Sequence, residues 1–244
     1  MQRLLSHMRA CMERYEMISP GDRVAVAVSG GKDSLVLLAG LARLRQFYPQ
    51  PFAIHAVTID PQFGGEPGDY REIEALCQAW DVPYTVKRTQ LWEIIFQVRQ
   101  ESNPCSLCAR MRRGALHDLA KELDCNKIAL GHHMDDAVET FYMNLWNNGR
   151  AESFAPMTYL SRKDLYMLRP MLFATEREVL GVANKLQLPV VKSRCPADGN
   201  TERESVKQLL RGLMQQYPDL REKTLGAMQR GDISGFGGPR TEKE

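Results

Sequence analysis

Hydrophobic residues along the chain alternate between short apolar runs and spaced repeats, and this alternation predicts strands and helices in turn. Four short segments predict strands at 23–29, 51–60, 83–89 and 127–133, the last of which opens into a turn. Apolar positions at helical spacing predict helices at about 33–47, 69–80, 91–100, 106–123 and 135–148. Strands that alternate with helices predict the α/β class, with a doubly wound, mainly parallel sheet.

Further helices are predicted at both ends of this α/β core. An apolar stripe between Leu4 and Tyr15 predicts an N-terminal helix, whose apolar face could pack on the domain or on a second subunit. A capping-box pattern at Thr175 and Glu178 predicts a helix start, and two more helices follow it. We expect an N-terminal helix at 1–20, an α/β domain at 21–192, a helical extension at 193–232 and a flexible tail at 233–244.

Net charge, the length of the apolar runs and the number of cysteines limit the classes of protein to which this chain can belong. The net charge is only +2 over 244 residues, so any nucleic-acid surface would have to be a local patch. No apolar run has the length that crosses a bilayer, and the N-terminus lacks the pattern of a signal peptide, so we expect a cytoplasmic protein without a membrane partner. In that reducing compartment, six cysteines are more typical of metal ligands or redox groups than of disulfides.

The first predicted strand ends in a glycine-rich turn, SGGKDS, that leads directly into a helix. In this position backbone N–H groups and the positive end of the helix can bind a phosphate, while lysine adds charge and serine adds hydroxyls. The spacing matches neither the Walker A loop nor the G-x-G-x-x-G turn. The expected phosphate-binding loop consists of Ser29, Gly30, Gly31, Lys32, Asp33 and Ser34.

Two adjacent acids, Asp135 and Asp136, follow the fourth predicted strand. They could simply cap the next helix. Because the carboxyl ends of parallel strands meet at one edge of a sheet, they would also lie beside the glycine-rich turn, where they could bind Mg²⁺ on the phosphates of a nucleotide. We assign Asp60, which ends the second predicted strand, and Gly131 to the same nucleotide site.

The cysteines provide a second candidate site. Cys105 and Cys108 form a C-x-x-C pattern at a helix start, where nearby arginines and helix N–H groups favour thiolates. Cys195 lies in a polar turn with no packing reason to be cysteine, so it is the best third ligand. Cys77 and Cys125 are expected in the core.

Three cysteine ligands would leave one metal position open, which suits chemistry better than a structural role. Two alternatives remain open at this level. The C-x-x-C pattern could be a redox pair unrelated to Cys195, or a histidine such as His117 could complete a zinc site.

Together these motifs resemble the tRNA 2-thiocytidine synthetases (TtcA), a branch of the ATP-pyrophosphatase (PP-loop) superfamily. The resemblance covers roughly residues 1–230. It rests on SGGKDS at 29–34, CSLCARMRRG at 105–114, IALGHHMDDAVET at 128–140, LRPM at 168–171 and Cys195, in the order of that family. The related tRNA-lysidine synthetases share the loop and the histidine–acid motif but lack this cysteine set.

The resemblance implies an ATP-dependent tRNA sulfurtransferase. ATP and Mg²⁺ would bind at Ser29–Ser34, and Cys105, Cys108 and Cys195 would hold a [4Fe–4S] cluster. The enzyme would adenylate the C2 carbonyl of an anticodon-loop cytidine and replace its oxygen with sulfur. The sulfur donor would be sulfide or a cysteine-desulfurase persulfide, and the family favours a homodimer.

Roles for individual residues follow from that resemblance. Ser29, Lys32 and Asp136, the last through Mg²⁺, would neutralise the departing pyrophosphate, and Arg112 would act electrostatically between cluster and phosphates. Contacts to tRNA phosphates are expected from Arg110, Arg113 and Arg150. Two other functions compete: an iron–sulfur desulfidase that needs no ATP, and a non-catalytic nucleotide- or RNA-binding module.

Overall fold

The central sheet of the computed structural model has six strands, and the structure describes residues 1–99, 104–191, 194–195 and 202–238. The strands are β1 (Arg23–Ala27), β2 (Ala53–Asp60), β3 (Tyr84–Arg88), β4 (Lys127–Ala129), β5 (Met157–Leu160) and β6 (Leu165–Leu168). Their order across the sheet is β3-β2-β1-β4-β6-β5, and every neighbouring pair is parallel except β5 with β6. The predicted α/β class with a mainly parallel sheet is confirmed.

Eight α-helices and a π-helical segment surround the sheet in the part of the chain that the structure describes. They are α1 (Gln2–Arg14), α2 (Lys32–Leu44), α3 (Arg71–Ala79), the π-helix Glu93–Arg99, α4 (Pro104–Glu122), α5 (Met134–Asn148), α6 (Glu176–Lys185), α7 (Glu202–Gln216) and α8 (Leu220–Arg230). None of the described helices is long and apolar enough to span a membrane.

The sequence analysis missed strand β6 and the antiparallel edge strand β5. Strand β5 spans only Met157–Leu160, and its side chains are half-buried or exposed, so no alternation of apolar and polar residues marks it. Its ladder with β6 decides its conformation. Such pairing between segments is invisible to a local pattern.

Two apolar layers cover the two faces of the sheet. The larger lies under α1, α2 and α6, and the smaller lies between β1, β2 and α4. Leu4, Met8 and Met12 of α1 are fully buried against the chain's own domain, so this face is not available to a second subunit. Cys77 and Cys125 are buried as expected, and Cys11 is fully buried as well.

The first part of the expected flexible tail is packed. Phe236 is fully buried, and its carbonyl accepts a hydrogen bond of 3.0 Å from the hydroxyl of Tyr15. The carbonyl of Gly237 accepts a bond from Arg14. Residues 239–244, the rest of that predicted tail, lie outside the described residues.

A buried ion pair joins the amino ends of the strands, away from the glycine-rich turn. The Lys127 ammonium lies 2.6 Å from the Asp22 carboxylate, and their side chains are only 7% and 5% exposed. Lys127 also donates to the carbonyl of Met17, and Asp22 accepts from the amide of Asn126. Breaking such a pair leaves an uncompensated buried charge, which is costly.

We expect Lys127→Met to lower the free energy of unfolding by about 3 kcal/mol, since the Asp22 carboxylate stays buried without its cation. Urea unfolding measures the change. Lys121→Met, at an exposed position in the last turn of α4, is the control and should change stability by less than about 1 kcal/mol. Equal losses in both variants would contradict a structural role for the pair.

Candidate nucleotide and thiolate site

The glycine-rich turn lies between β1 and α2, at the carboxyl edge of the sheet. The Ser34 hydroxyl donates to the carbonyl of Gly31 at 2.8 Å and accepts the Ser29 backbone N–H at 3.1 Å, which closes the turn on itself. Gly30 has φ +88°, and a Cβ there would stand 3.0 Å from Val191. The turn therefore requires glycine at this position, for both conformation and space.

Lys32 holds two carboxylates beside this turn. Its ammonium lies 2.8 Å from Asp33 and 3.4 Å from Glu176 at the start of α6. Burial opposes the positive charge, but these two acids outweigh it and raise the pKa of Lys32. Lys32 therefore stays a cation at the first turn of α2. The positive end of the helix dipole lies at the same place, and both charges favour the binding of an anion.

The turn after β4 lies in close contact with the glycine-rich turn. A Cβ on Gly131 would stand 3.0 Å from the carbonyl carbon of Asp33 and 3.1 Å from the backbone N of Ser34. His133, two residues after Gly131, is buried, with Nε2 3.7 Å from the Asp33 carboxylate. The structure therefore brings together the two motifs that the sequence analysis placed at one sheet edge.

The two adjacent acids have different surroundings. Asp136 is half-buried, accepts the His133 backbone N–H at 2.9 Å, and pairs with Arg203 of α7 at 3.2 Å. Asp135 is buried, accepts the Glu176 backbone N–H at 2.7 Å, and pairs with Arg221 of α8. Asp135 thus ties α5 to α6 and α8, and its assignment to the nucleotide site stays a prediction.

Asp60 accepts two backbone hydrogen bonds. One carboxylate oxygen accepts the backbone N–H of Gln62 at 3.0 Å, and the other accepts that of Gly68 at 2.9 Å. The side chain is only 2% exposed. Asp60 therefore shapes the loop that follows β2, and its assignment to the nucleotide site stays a prediction.

A third acid of α5, Glu139, was not singled out from the sequence. It is 5% exposed. Burial and the nearby Asp136 raise its pKa to about 7, although Lys207 and Arg203 act in the opposite direction. The folded protein therefore binds a proton here at pH values where an unfolded glutamate has lost it.

This raised pKa predicts a pH-dependent stability. Below about pH 4.5 the carboxyl is protonated in both states; as pH rises toward 7 only the unfolded chain loses the proton, so stability falls. We expect the free energy of unfolding of Glu139→Gln to exceed that of the wild type by about 2–3 kcal/mol at pH 8 and by little at pH 4.5. Urea unfolding at the two pH values measures this, and a pH-independent difference would contradict it.

The three cysteines lie near one another at the amino end of α4. Cys105 is exposed, while Cys108 and Cys195 are half-buried. Burial raises the pKa of Cys108, as do Cys195 and Cys105, and Arg112 lowers it. As placed, the described residues contain no group of three potential ligands arranged around a metal ion. By its chemistry, a set of three thiols matches a cluster with three thiolate ligands.

His117 does not belong to this group. It lies nine residues after Cys108 on the continuous helix α4, about 13 Å farther along the helix axis. Zinc ligands lie about 2.0–2.3 Å from the metal, so one ion could not reach both side chains. The alternative of a zinc site completed by His117 is therefore wrong.

Arg112 separates two cavities at this edge of the sheet. The first, of about 560 Å³, lies over the ends of β1, β2, β4 and β6, with Arg113 and Arg169 in its wall. The second, of about 430 Å³, lies between the glycine-rich turn and the loop after β2. Ser29, Ile59 and Arg112 line both cavities.

The first cavity contains polar groups that sequence reasoning missed. His132 lines it, and burial lowers the pKa of His132 to about 4, so its imidazole is neutral at neutral pH. Its ring lies 4.9 Å from that of Phe154, over which the Arg169 guanidinium sits at 4.8 Å. Among the described atoms, Nδ1 of His132 and Nε of Arg169 have no hydrogen-bond partner.

The predicted nucleic-acid arginines are spread widely. Arg110 and Arg113 are exposed on α4 near the cysteines. Arg150 follows the far end of α5, about 21 Å along the helix from Asp136, and its nearest partner is Glu152 at 3.6 Å. Any RNA that reaches both groups must extend across the domain.

Comparison with known proteins agrees with this geometry. A model of the PP-loop domain matches residues 4–213. The tRNA-cytidine(32) 2-sulfurtransferase of Pelobacter propionicus is 38% identical over 217 residues, covering 88% of this chain and 80% of that protein. The one of Citrifermentans bemidjiense is 35% identical over 229 residues, covering 93% and 89%. This chain belongs to the TtcA branch of the PP-loop family.

Solved structures place this PP-loop protein among related folds. The U34-tRNA thiolase NcsA from Methanococcus maripaludis, with its [4Fe-4S] cluster, aligns with a TM-score of 0.74 and 25% identity, covering 92% of this chain and 78% of that chain. The NH3-dependent NAD synthetase from Campylobacter jejuni aligns with a TM-score of 0.50 and 16% identity, covering 100% and 98%, which shows a shared fold.

We expect Gly131→Ala to lower the free energy of unfolding by about 1–3 kcal/mol, because the new Cβ meets backbone that cannot rotate away. Gly114→Ala is the matched control. A Cβ on Gly114 meets nothing within 4 Å inside helix α4, so that variant should gain up to about 1 kcal/mol. Urea unfolding compares them, and a gain at both positions would contradict the close approach.

Proposed function

We propose that this PP-loop protein is an ATP-dependent tRNA sulfurtransferase that converts an anticodon-loop cytidine to 2-thiocytidine. The observation that carries the proposal is the position of Arg112, which borders both cavities and lies one helical turn after Cys108 on α4. The glycine-rich turn thus lines both cavities, and Arg112 in their shared wall lies one helical turn after Cys108. The names of the curated relatives support the same reaction.

ATP would lie with its phosphates on the glycine-rich turn and its adenosine in the first cavity. Val57, Leu116 and Leu130 give that cavity an apolar lining, which suits a planar base. Lys32, held as a cation, and the backbone of the turn would stabilise the β- and γ-phosphates. Neutral His132 could accept or donate one hydrogen bond to the nucleotide without adding charge.

The reaction needs a better leaving group than a carbonyl oxygen. That oxygen would attack the α-phosphorus of ATP, and the bond from phosphorus to the bridging oxygen would break, releasing pyrophosphate. Sulfur would then bond to C2 of the base while the C2–O bond breaks and AMP departs. Arg112 would stabilise the negative charge of the adenylate at the border of the two cavities.

Metal groups would be held at two places. Asp136 is the residue proposed for Mg²⁺, since Asp135 is engaged by α6 and α8. One Asp136 oxygen pairs with Arg203, so Mg²⁺ would compete with that guanidinium. Cys105, Cys108 and Cys195 would hold the [4Fe–4S] cluster, which would supply the site for sulfur delivery.

The experiment measures pyrophosphate release and 2-thiocytidine formation on one RNA, with protein purified anaerobically. We expect both from the wild type, loss of both from Asp136→Asn, and loss of 2-thiocytidine together with the visible iron–sulfur absorbance from Cys105→Ala. The Asp136 variant thus tests the adenylation step, and the Cys105 variant tests the sulfur-transfer step. Stoichiometric zinc in colourless protein, or ATP-independent removal of sulfur from thiolated RNA, would contradict the proposal.

A further inference from the structure

The second cavity, which the proposed ATP site does not use, has the chemistry of a nucleobase pocket. Its walls are the glycine-rich turn, the loop at 61–70 after β2, and the two arginines Arg112 and Arg194. Phe63 and Tyr70 contribute aromatic side chains from that loop. A volume of about 430 Å³ lies within the range of small-ligand sites and admits one nucleotide.

The loop at 61–70 is held in one shape. Asp60 accepts the N–H groups of Gln62 and Gly68, and the backbone of Gln62, Gly64 and Gly65 takes left-handed conformations with φ of 53°, 76° and 83°. A non-glycine residue such as Gln62 adopts this conformation at a cost, so the surrounding contacts must maintain it. The loop therefore presents its aromatic residues at fixed positions.

Phe63 belongs to a row of three aromatic side chains. Its ring meets that of Trp92 edge to face, with centroids 6.0 Å apart, and Trp92 stacks on Phe96 at 4.4 Å. On the far side of the cavity, Arg194 donates to the carbonyl of Glu66 and so closes over the same loop. Arg112 and Arg194 line the same cavity as Tyr70.

Aromatic rings and guanidinium planes are the groups on which proteins stack the unpaired bases of single-stranded RNA. The cavity also borders Ser29 and Gly31 of the glycine-rich turn, and its residue Arg194 directly precedes Cys195. A base in this cavity would thus lie between the phosphates and the thiols. Among the described residues, Arg194 lines this cavity and is not in the wall of the first.

We propose that this cavity takes the acceptor pyrimidine of the RNA, turned out of the anticodon loop and stacked on Phe63. The inference rests on the proposed function and adds the place of the substrate base. Phe63 is the stacking residue, and Arg194 provides a cation for the RNA backbone next to it.

The test compares KM for a cytidine-containing anticodon stem-loop with the Kd for ATP in Phe63 variants. Loss of one base stack corresponds to about a 5- to 150-fold rise in the RNA KM for Phe63→Ala, with the ATP Kd changed less than twofold. Phe63→Tyr keeps a ring and should restore the RNA KM, whereas Phe63→Leu keeps only bulk and should not. A rise in the ATP Kd with unchanged RNA KM would overturn the proposal.

Phe47→Ala is the matched control. Phe47 is 55% exposed and lines a surface cavity of about 510 Å³ formed with Leu5, Ala42 and Trp80, away from the glycine-rich turn. We expect this variant to leave both the RNA KM and the ATP Kd unchanged. An equal rise in the RNA KM for Phe47→Ala and Phe63→Ala would show a general loss of folding and overturn the specific assignment.

A second measurement separates the pocket from the reaction. The stem-loop carries 5-iodocytidine at the acceptor position and is photo-crosslinked to the wild-type protein, and the modified peptide is identified by mass spectrometry. Crosslinking within 61–70 supports the pocket even if no thiolation occurs, which would contradict only the proposed function. Thiolation with crosslinking confined to other segments would overturn the pocket and leave the function intact.

Discussion

The close approach of two turns at the carboxyl edge of the sheet is the constraint on which the site depends. Gly131 has no side chain, so the turn after β4 can lie against the first turn of α2. This contact sets His133 and Asp136 beside Asp33 and Lys32. The parallel pairing of β1 and β4 places their carboxyl ends side by side. The two polar turns that follow these strands can approach this closely only because Gly131 has no Cβ.

Around that contact, acids and cations from four helices partner one another. Glu176 of α6 lies between Lys32 of α2 and Lys207 of α7, and Asp136 of α5 pairs with Arg203 of α7. Helix α7 follows the segment that carries Cys195, so the same part of the chain that brings a thiol to the site also pairs with its acids. A buried acid without full compensation, Glu139, lies within this network, as its raised pKa shows.

Arg112 connects this network to the thiols. It lies one helical turn after Cys108, which directs it to the same side of α4, and it borders both cavities. The resemblance to PP-loop enzymes implied a position between cluster and phosphates, and the geometry agrees with it. The arginines assigned to RNA are less concentrated, because Arg150 follows the far end of α5.

Much of the fold was determined by the sequence alone. The apolar runs, the helical repeats, the capping box at Thr175 and the motifs at 29–34 and 105–108 are local, and local periodicity and turn chemistry are sufficient to predict them. The burial of Cys77 and Cys125 followed from the same pattern. The sequence does not, however, distinguish the roles of the adjacent acids Asp135 and Asp136.

The tertiary structure alone decided the partners of those acids, and Asp136 pairs with Arg203 of α7. Asp135 is used by α6 and α8, whose residues lie 41 or more positions away, and Asp136 remains beside the glycine-rich turn. The same reason applies to strand β5, to the packed Phe236 and to the cavity walls from Phe63, Arg112 and Arg194. Each depends on contacts between distant segments, and no local pattern records a contact that only folding creates.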